Sequence, residues 1–172
     1  LALDLSTGVV DRFRSLPMSQ VAVIAGRTVA DTVRNAAGVV LVIGVGYLMG
    51  FRFDSLTVAL GMVALIVGMG YAFSWVGAAI GARIRNAETV AMLSMFWLLP
   101  LMLASSAFVP TAGMHELVQV FAEYQPVSVV SDAARALASG SPADDAIAGS
   151  IAWIIGLTGA FGWLSVRAYR RP

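Results

Sequence analysis

Residues 56–82 carry no charge at all. About 20 consecutive apolar residues are enough to cross the hydrocarbon core of a bilayer. A single segment placed there must satisfy its own backbone groups, and a helix does so. This one stretch commits the chain to a membrane. The rest of the composition agrees: of 172 residues 59% are hydrophobic and 12% charged, with a mean hydropathy of +0.83. A soluble domain of this size could not wet so apolar a surface. The expected fold is all-α, a single polytopic membrane domain over 1–172.

Four transmembrane helices are predicted in this chain, at 29–50, 56–82, 89–109 and 146–166. The first belongs to one long helix over 18–50. Arg27, Asp31 and Arg34 fall at i, i+4 and i+7 and so share a face. Two roles are open for that stripe: an ion pair snorkelling to headgroups, or a face toward a partner or a substrate entrance. Residues 51–55 make a tight connection whose only charges are Arg52 and Asp54. Gly46 with Gly50, and Gly77 with Gly81, have the GxxxG spacing that lets helices approach closely. Pro100 lies inside the third span, where it frees a carbonyl and kinks the helix. Tyr71, Trp75, Phe96 and Trp97 are candidates for a substrate path, with ordinary packing as the plainer role for each.

Two regions do not span. In the first, 1–19, Leu5, Val9, Phe13 and Leu16 form an apolar stripe at helical spacing. Asp4, Asp11, Arg12 and Arg14 lie off it, and Pro17 ends it. Such a helix either lies on lipid or docks onto a soluble partner. The second region, 110–145, contains two short amphipathic stripes. Met114, Leu117, Val118 and Phe121 make one; Val130, Ala133, Ala134 and Leu137 make the other. Pro126 separates them and Gly140-Ser141-Pro142 closes the second. Neither would stand free in water, so they are expected at the membrane surface or dipping into it and returning. Arg135, near Glu116, Glu123 and Asp132, reads as a surface ion pair more readily than as a substrate contact.

The arginines give the topology. Arg12, Arg14, Arg27, Arg34, Arg83, Arg85, Arg167, Arg170 and Arg171 fall on one side of a four-span arrangement, and Arg52 and Arg135 on the other. The first side is cytoplasmic by the positive-inside rule. Both ends of the chain are then cytoplasmic, and 110–145 is external.

Much chemistry is excluded. There is no cysteine and a single histidine, His115, so neither a disulfide framework nor a histidine cluster is available. No lysine is present, hence no phosphate-binding GxxxxGK[ST] loop. No catalytic constellation or metal set stands out, no cofactor is expected in this chain, and it is not expected to be an enzyme by itself. No span carries a central carboxylate of the sort a proton- or sodium-coupled carrier needs. A transporter of this composition would draw its energy from another chain. A non-transporting membrane scaffold is the alternative from another class, and an ATP-independent carrier a third.

The order of segments resembles the membrane subunits of type-2 (ABC-2) ABC exporters, in particular the daunorubicin-resistance-like permeases of actinobacteria. The residues that carry the resemblance are Asp11-Arg12-Phe13-Arg14-Ser15-Leu16-Pro17-Met18-Ser19 with Gly8 upstream, and Ala25-Gly26-Arg27. Further on come Phe108-Val109-Pro110, Phe121-Ala122-Glu123-Tyr124-Gln125-Pro126-Val127-Ser128 and Ala133-Ala134-Arg135-Ala136-Leu137. The resemblance implies six spans in a full member, so that this chain lacks the first two and begins after the biological start. It implies a cytoplasmic coupling helix that docks on an ABC ATPase subunit, made here by Val9, Val10, Asp11, Arg12, Phe13, Arg14 and Leu16. It implies paired short external re-entrant helices, with Phe121, Gln125, Pro126 and Arg135 among their residues. The partners it implies are two ATPase subunits that bind ATP and magnesium, a second permease forming a homodimer or heterodimer, and membrane lipid; no nucleic acid is expected. The cargo would be amphipathic or lipid-like: a drug, polyketide or lipid.

Overall fold

The computed structural model describes residues 20–84, 86–108 and 115–169. The expected coupling residues Val9, Val10, Asp11, Arg12, Phe13, Arg14 and Leu16 lie outside the described residues. Among the described residues there are six helices and no strand. They are α1 (Gln20–Leu48), α2 (Leu56–Arg83), α3 (Ala87–Leu103), α4 (Glu116–Tyr124), α5 (Pro126–Ser139) and α6 (Asp144–Tyr169).

Helix α2 is the axis of the bundle. It packs most extensively on α6, then on α1 and α5, and only lightly on α3. Its small residues explain this. A Cβ on Gly68 would stand 3.1 Å from Ile154 Cδ1 of α6, and one on Gly70 would stand 2.9 Å from Asn35 Nδ2 of α1. Ala72 is wholly buried. Close backbone approach is what holds membrane helices together where lipid is as apolar as the side chains. The buried centre is Met69, Ala72 and Val130, with Ile66, Phe73, Ile154 and Leu157 packed around it.

The α1–α2 connection is built from aromatic rings and one arginine. Gly50 takes φ +98°, a conformation that suits glycine. Gly50 therefore belongs to the turn beyond α1, and its expected helical pairing with Gly46 is not formed. Arg52 Nη1 donates to Tyr47 O at 2.6 Å and to Phe51 O at 2.8 Å. Its guanidinium lies 5.0 Å over the Tyr47 ring, and Phe51 meets Phe53 edge-on at 4.9 Å. Ser55 caps α2 by accepting from the Val58 N–H at 3.2 Å.

Among the described residues three helices are long and apolar enough to cross a membrane: Thr28–Leu48 within α1, Leu56–Arg83, and Asp144–Arg167 within α6. Helix α3 differs from its sequence expectation. The apolar run suggested a helix to residue 109, but α3 ends at Leu103 after 17 residues. At 1.5 Å per residue that is about 26 Å, short of a core of about 30 Å. The reason lies in the serines that follow it, described below.

Helices α4 and α5 form a hairpin folded against the bundle. Val130 of α5 joins Met69 and Ala72, near the midpoint of α2. At its other end α5 closes on Gly140, which is left-handed at φ +66°. A Cβ there would be 3.1 Å from Asp54 Oδ2 in the α1–α2 connection. Helix α5 thus runs from the depth of the bundle to the rim where α1 and α2 are joined.

Candidate functional site

A cavity of about 690 Å³ opens between α2, α3, the α4–α5 turn and α6. Each wall is one helical face. Phe73, Val76 and Ile80 come from α2, Trp97 and Leu101 from α3, and Trp153, Leu157 and Phe161 from α6. Val120, Phe121, Tyr124, Gln125 and Pro126 complete the enclosure. Among the described residues no charged side chain lines it. Phe73 and Trp97 meet edge-on, centroids 5.5 Å apart, and join two walls. Trp153 Nε1 donates to Tyr124 O at 2.9 Å and joins two more. The volume falls in the range of small-molecule pockets, roughly 300–1,000 Å³.

Gln125 is the keystone of the enclosure, and three helices depend on it. Its N–H donates to Phe121 O at 3.1 Å and closes α4. Its Oε1 accepts from Val127 N at 3.1 Å and opens α5, where Pro126 at the first turn has no N–H to satisfy. Its Nε2 donates to Leu101 O at 3.0 Å and to Ser128 Oγ at 2.8 Å. Leu101 O is one of the last four carbonyls of α3, which have no partner within a helix. Gln125 is itself 3% exposed, and its amide supplies the partner this carbonyl lacks within α3.

The same face of α5 continues the junction. Ser128 Oγ accepts from Ser106 N at 3.0 Å, and Ser105 Oγ accepts from Ala107 N at 3.1 Å. Ser106 Oγ donates to Asp132 Oδ1 at 2.9 Å. Arg135 Nη1 pairs with Asp132 Oδ1 at 2.7 Å and its Nη2 donates to Ser106 O at 3.3 Å. Gln125, Ser128, Asp132 and Arg135 are spaced three, four and three residues apart, so all reach the end of α3 or the turn that follows it. These bonds let α3 stop at Leu103 and turn.

The candidate site residues divide. Trp97, Phe121, Gln125 and Pro126 line the cavity. Phe96 is 80% exposed and faces away from the bundle. Trp75 is buried against Gly162, with Tyr71 edge-on at 6.2 Å, and neither lines this cavity. Arg135 sits in its ion pair and is not part of the lining. The sequence reading missed Phe73, Val76, Ile80, Leu101, Val120, Tyr124, Trp153, Leu157 and Phe161 as site residues. Their signal was periodicity: 73, 76 and 80, and 153, 157 and 161, are each a single stripe at helical spacing.

The chain matches the family described as ABC-2 type transporter over residues 1–138. It is 34% identical over 172 residues to the daunorubicin resistance ABC transporter permease protein DrrB1 of Streptomyces coeruleorubidus. That alignment covers 99% of this chain and 60% of the relative, so the chain spans about three fifths of the relative's length. No solved structure matches it. With its apolar helices and its match along most of its length, this multi-pass membrane chain belongs to the ABC-2 type transporter family.

Proposed function

We propose that the chain is part of the transmembrane subunit of an ATP-driven ABC exporter that moves amphipathic or lipid-like cargo out across the cell membrane. The observation that carries this is similarity to a drug-resistance permease along 99% of the chain. The apolar cavity supports it, because walls without fixed charge suit a cargo that partitions into lipid. Both ends are cytoplasmic in this reading, and residues 9–16 are the joint to the ATPase. ATP and magnesium are held by two ATPase subunits, and a second permease, identical or related, completes the assembly. Helix α3 is the third of four spans here. Helices α4 and α5 form an external re-entrant pair; the packing of Val130 at the midpoint of α2 supports this. Closure of the ATPases would move the coupling segment and rock the spans.

The test is the full-length permease co-expressed with its ATPase and reconstituted in liposomes, with daunorubicin fluorescence as the transport signal. The wild type is expected to co-purify with the ATPase and to move the drug only with ATP. The double change Arg12→Glu with Arg14→Glu is expected to leave the permease folded and abolish ATP-driven movement. A wild type that binds no ATPase would favour a membrane scaffold. A complex indifferent to the double change would keep the exporter and discard residues 9–16 as its joint.

A further inference from the structure

The charged stripe of α1 finds no partner in the fold. The candidate span of α1 begins at Thr28, so Arg27 lies outside it and Asp31 and Arg34 lie within it. At 1.5 Å per residue, Asp31 is about 4.5 Å and Arg34 about 9 Å along the span. Arg34 is exposed and Asp31 half-buried. Among the described residues neither side chain makes an ion pair or a hydrogen bond; the ion pair present is that of Arg135 with Asp132. Their own pairing at i, i+3 is therefore not formed. Nor does α2 compensate them: the close approach there is Asn35 to Gly70. A charge at membrane depth is costly and calls for a counter-charge or water.

The rest of this flank is apolar and open. A Cβ on Gly38, one turn deeper than Arg34, would meet nothing within 4 Å. Beyond it Leu41 is 67% and Val42 69% exposed, and Val45 is open as well. One side of α1 thus presents an acid, then a base, then open space, then aliphatic surface, in order of depth. The Cα–Cβ bonds of a helix tilt toward its N-terminus, here the nearer membrane surface, so both charged side chains start outward. A zwitterionic glycerophospholipid has the matching order. Its phosphate adjoins the glycerol, its ammonium stands two carbons further out, and its acyl chains run inward.

We infer that Asp31 and Arg34 clamp the headgroup of an ethanolamine phospholipid, Arg34 on the phosphate and Asp31 on the primary ammonium, with the acyl chains along Gly38, Leu41 and Val45. The order of the two residues selects the headgroup. A primary ammonium gives N–H bonds to a carboxylate. A quaternary ammonium has none to give and is recognised by aromatic faces, and α1 holds no aromatic residue before Tyr47. An anionic glycerol headgroup would satisfy Arg34 and leave Asp31 beside a like charge. This site goes beyond the exporter reading and does not depend on it.

The experiment gives the purified full-length permease mixed micelles holding equal amounts of five dioleoyl lipids. They are phosphatidylethanolamine, its N-methyl and N,N-dimethyl forms, phosphatidylcholine and phosphatidylglycerol. Retained lipid is counted by native mass spectrometry. The wild type is expected to keep the ethanolamine lipid best and to keep less with each added methyl. The choline and glycerol lipids should fall about fivefold below it, the effect of one exposed charge pair. Asp31→Asn should abolish the distinction between ethanolamine and choline lipids. Arg34→Gln should lower retention of all five about fivefold. Asp31→Arg combined with Arg34→Asp keeps the composition, reverses the order, and should lose the ethanolamine preference. The methyl series on the wild type decides the matter even if a variant fails to fold. The inference is overturned if the glycerol lipid is kept best, which marks a plain basic site, or if methylation makes no difference. It also falls if the exchanged variant retains lipid like the wild type. It falls equally if no lipid is retained because a second permease or another segment of the full-length protein covers this flank.

Discussion

Where α2 meets α6, contact is made by absence: Gly68 leaves room for Ile154, and Gly162 for the Trp75 ring. Where α3 meets α5, contact is made by hydrogen bonds: Gln125 donates to Leu101 O in the last turn of α3, Ser128 and Asp132 accept from Ser106 beyond it, and Arg135 donates to Ser106 O. The two seams solve one problem by different means. In a bilayer, apolar packing has no hydrophobic drive, because lipid tails are as apolar as leucine. Small residues answer with dispersion along a whole helix length. A polar junction answers with a few directional bonds at one place. The first seam fixes two helices along their length. The second holds α3 chiefly by its end, and Met92, Met95, Phe96 and Leu103 remain open along its outer side.

This contrast can be broken by substitution. The largest effect is expected from Ala72→Leu, which forces three extra carbons into a wholly buried position on α2. Overpacking of this kind costs up to about 3 kcal/mol. It should lower the thermal midpoint of the folded peak in detergent more than any change at the polar junction. A smaller loss, about 1–2 kcal/mol, is expected from Gln125→Leu, which leaves Leu101 O, the Val127 N–H and Ser128 Oγ without this partner. Its mark is locality: amide exchange should quicken at 104–108 and 125–128 and stay unchanged along α2 and α6. Exchange rising evenly through the bundle would show that the two seams are one unit. Arg135→Ala should cost least, about 0.5 kcal/mol or less, since its side chain is 58% exposed and that of Asp132 43%. A loss as large as that of Gln125→Leu would extend the buried junction outward to this pair.

The sequence disclosed the long helices because their evidence is local. An uncharged run over 56–82 leaves no other structure open, and Gly140 with Pro142 announces the end of α5. Pro126 was legible as the break between two short helices for the same reason. The end of α3 was not legible. Ser105 and Ser106 look like tolerated small residues in an apolar run, and what makes them a terminus lies more than twenty residues away on α5. Gly46 and Gly50 misled because spacing alone cannot tell a packing pair from a glycine spent on a turn. The cavity was half visible. Trp97, Phe121, Gln125 and Pro126 were singled out as residues, while the stripes of α2 and α6 that complete it read as generic span. Trp75 and Phe96 show the converse. An aromatic ring on a span carries no sign of whether it faces protein, cavity or lipid until its neighbours are placed.

The brevity of α3 bears on how the molecule meets membranes of unequal thickness. Helix α2, with 28 residues, is about 42 Å long and exceeds a hydrocarbon layer of about 30 Å, so it takes up mismatch by tilting or protruding. The end of α3 is defined by an amide and two serines instead of by the water boundary, so it has no length to adjust. In thicker or thinner bilayers α2 and α6 would change their inclination together while α3 kept its register with α5. The α1–α2 connection, with Tyr47, Phe51, Arg52 and Phe53, carries rings and a guanidinium of the kind that anchor a chain at a headgroup layer.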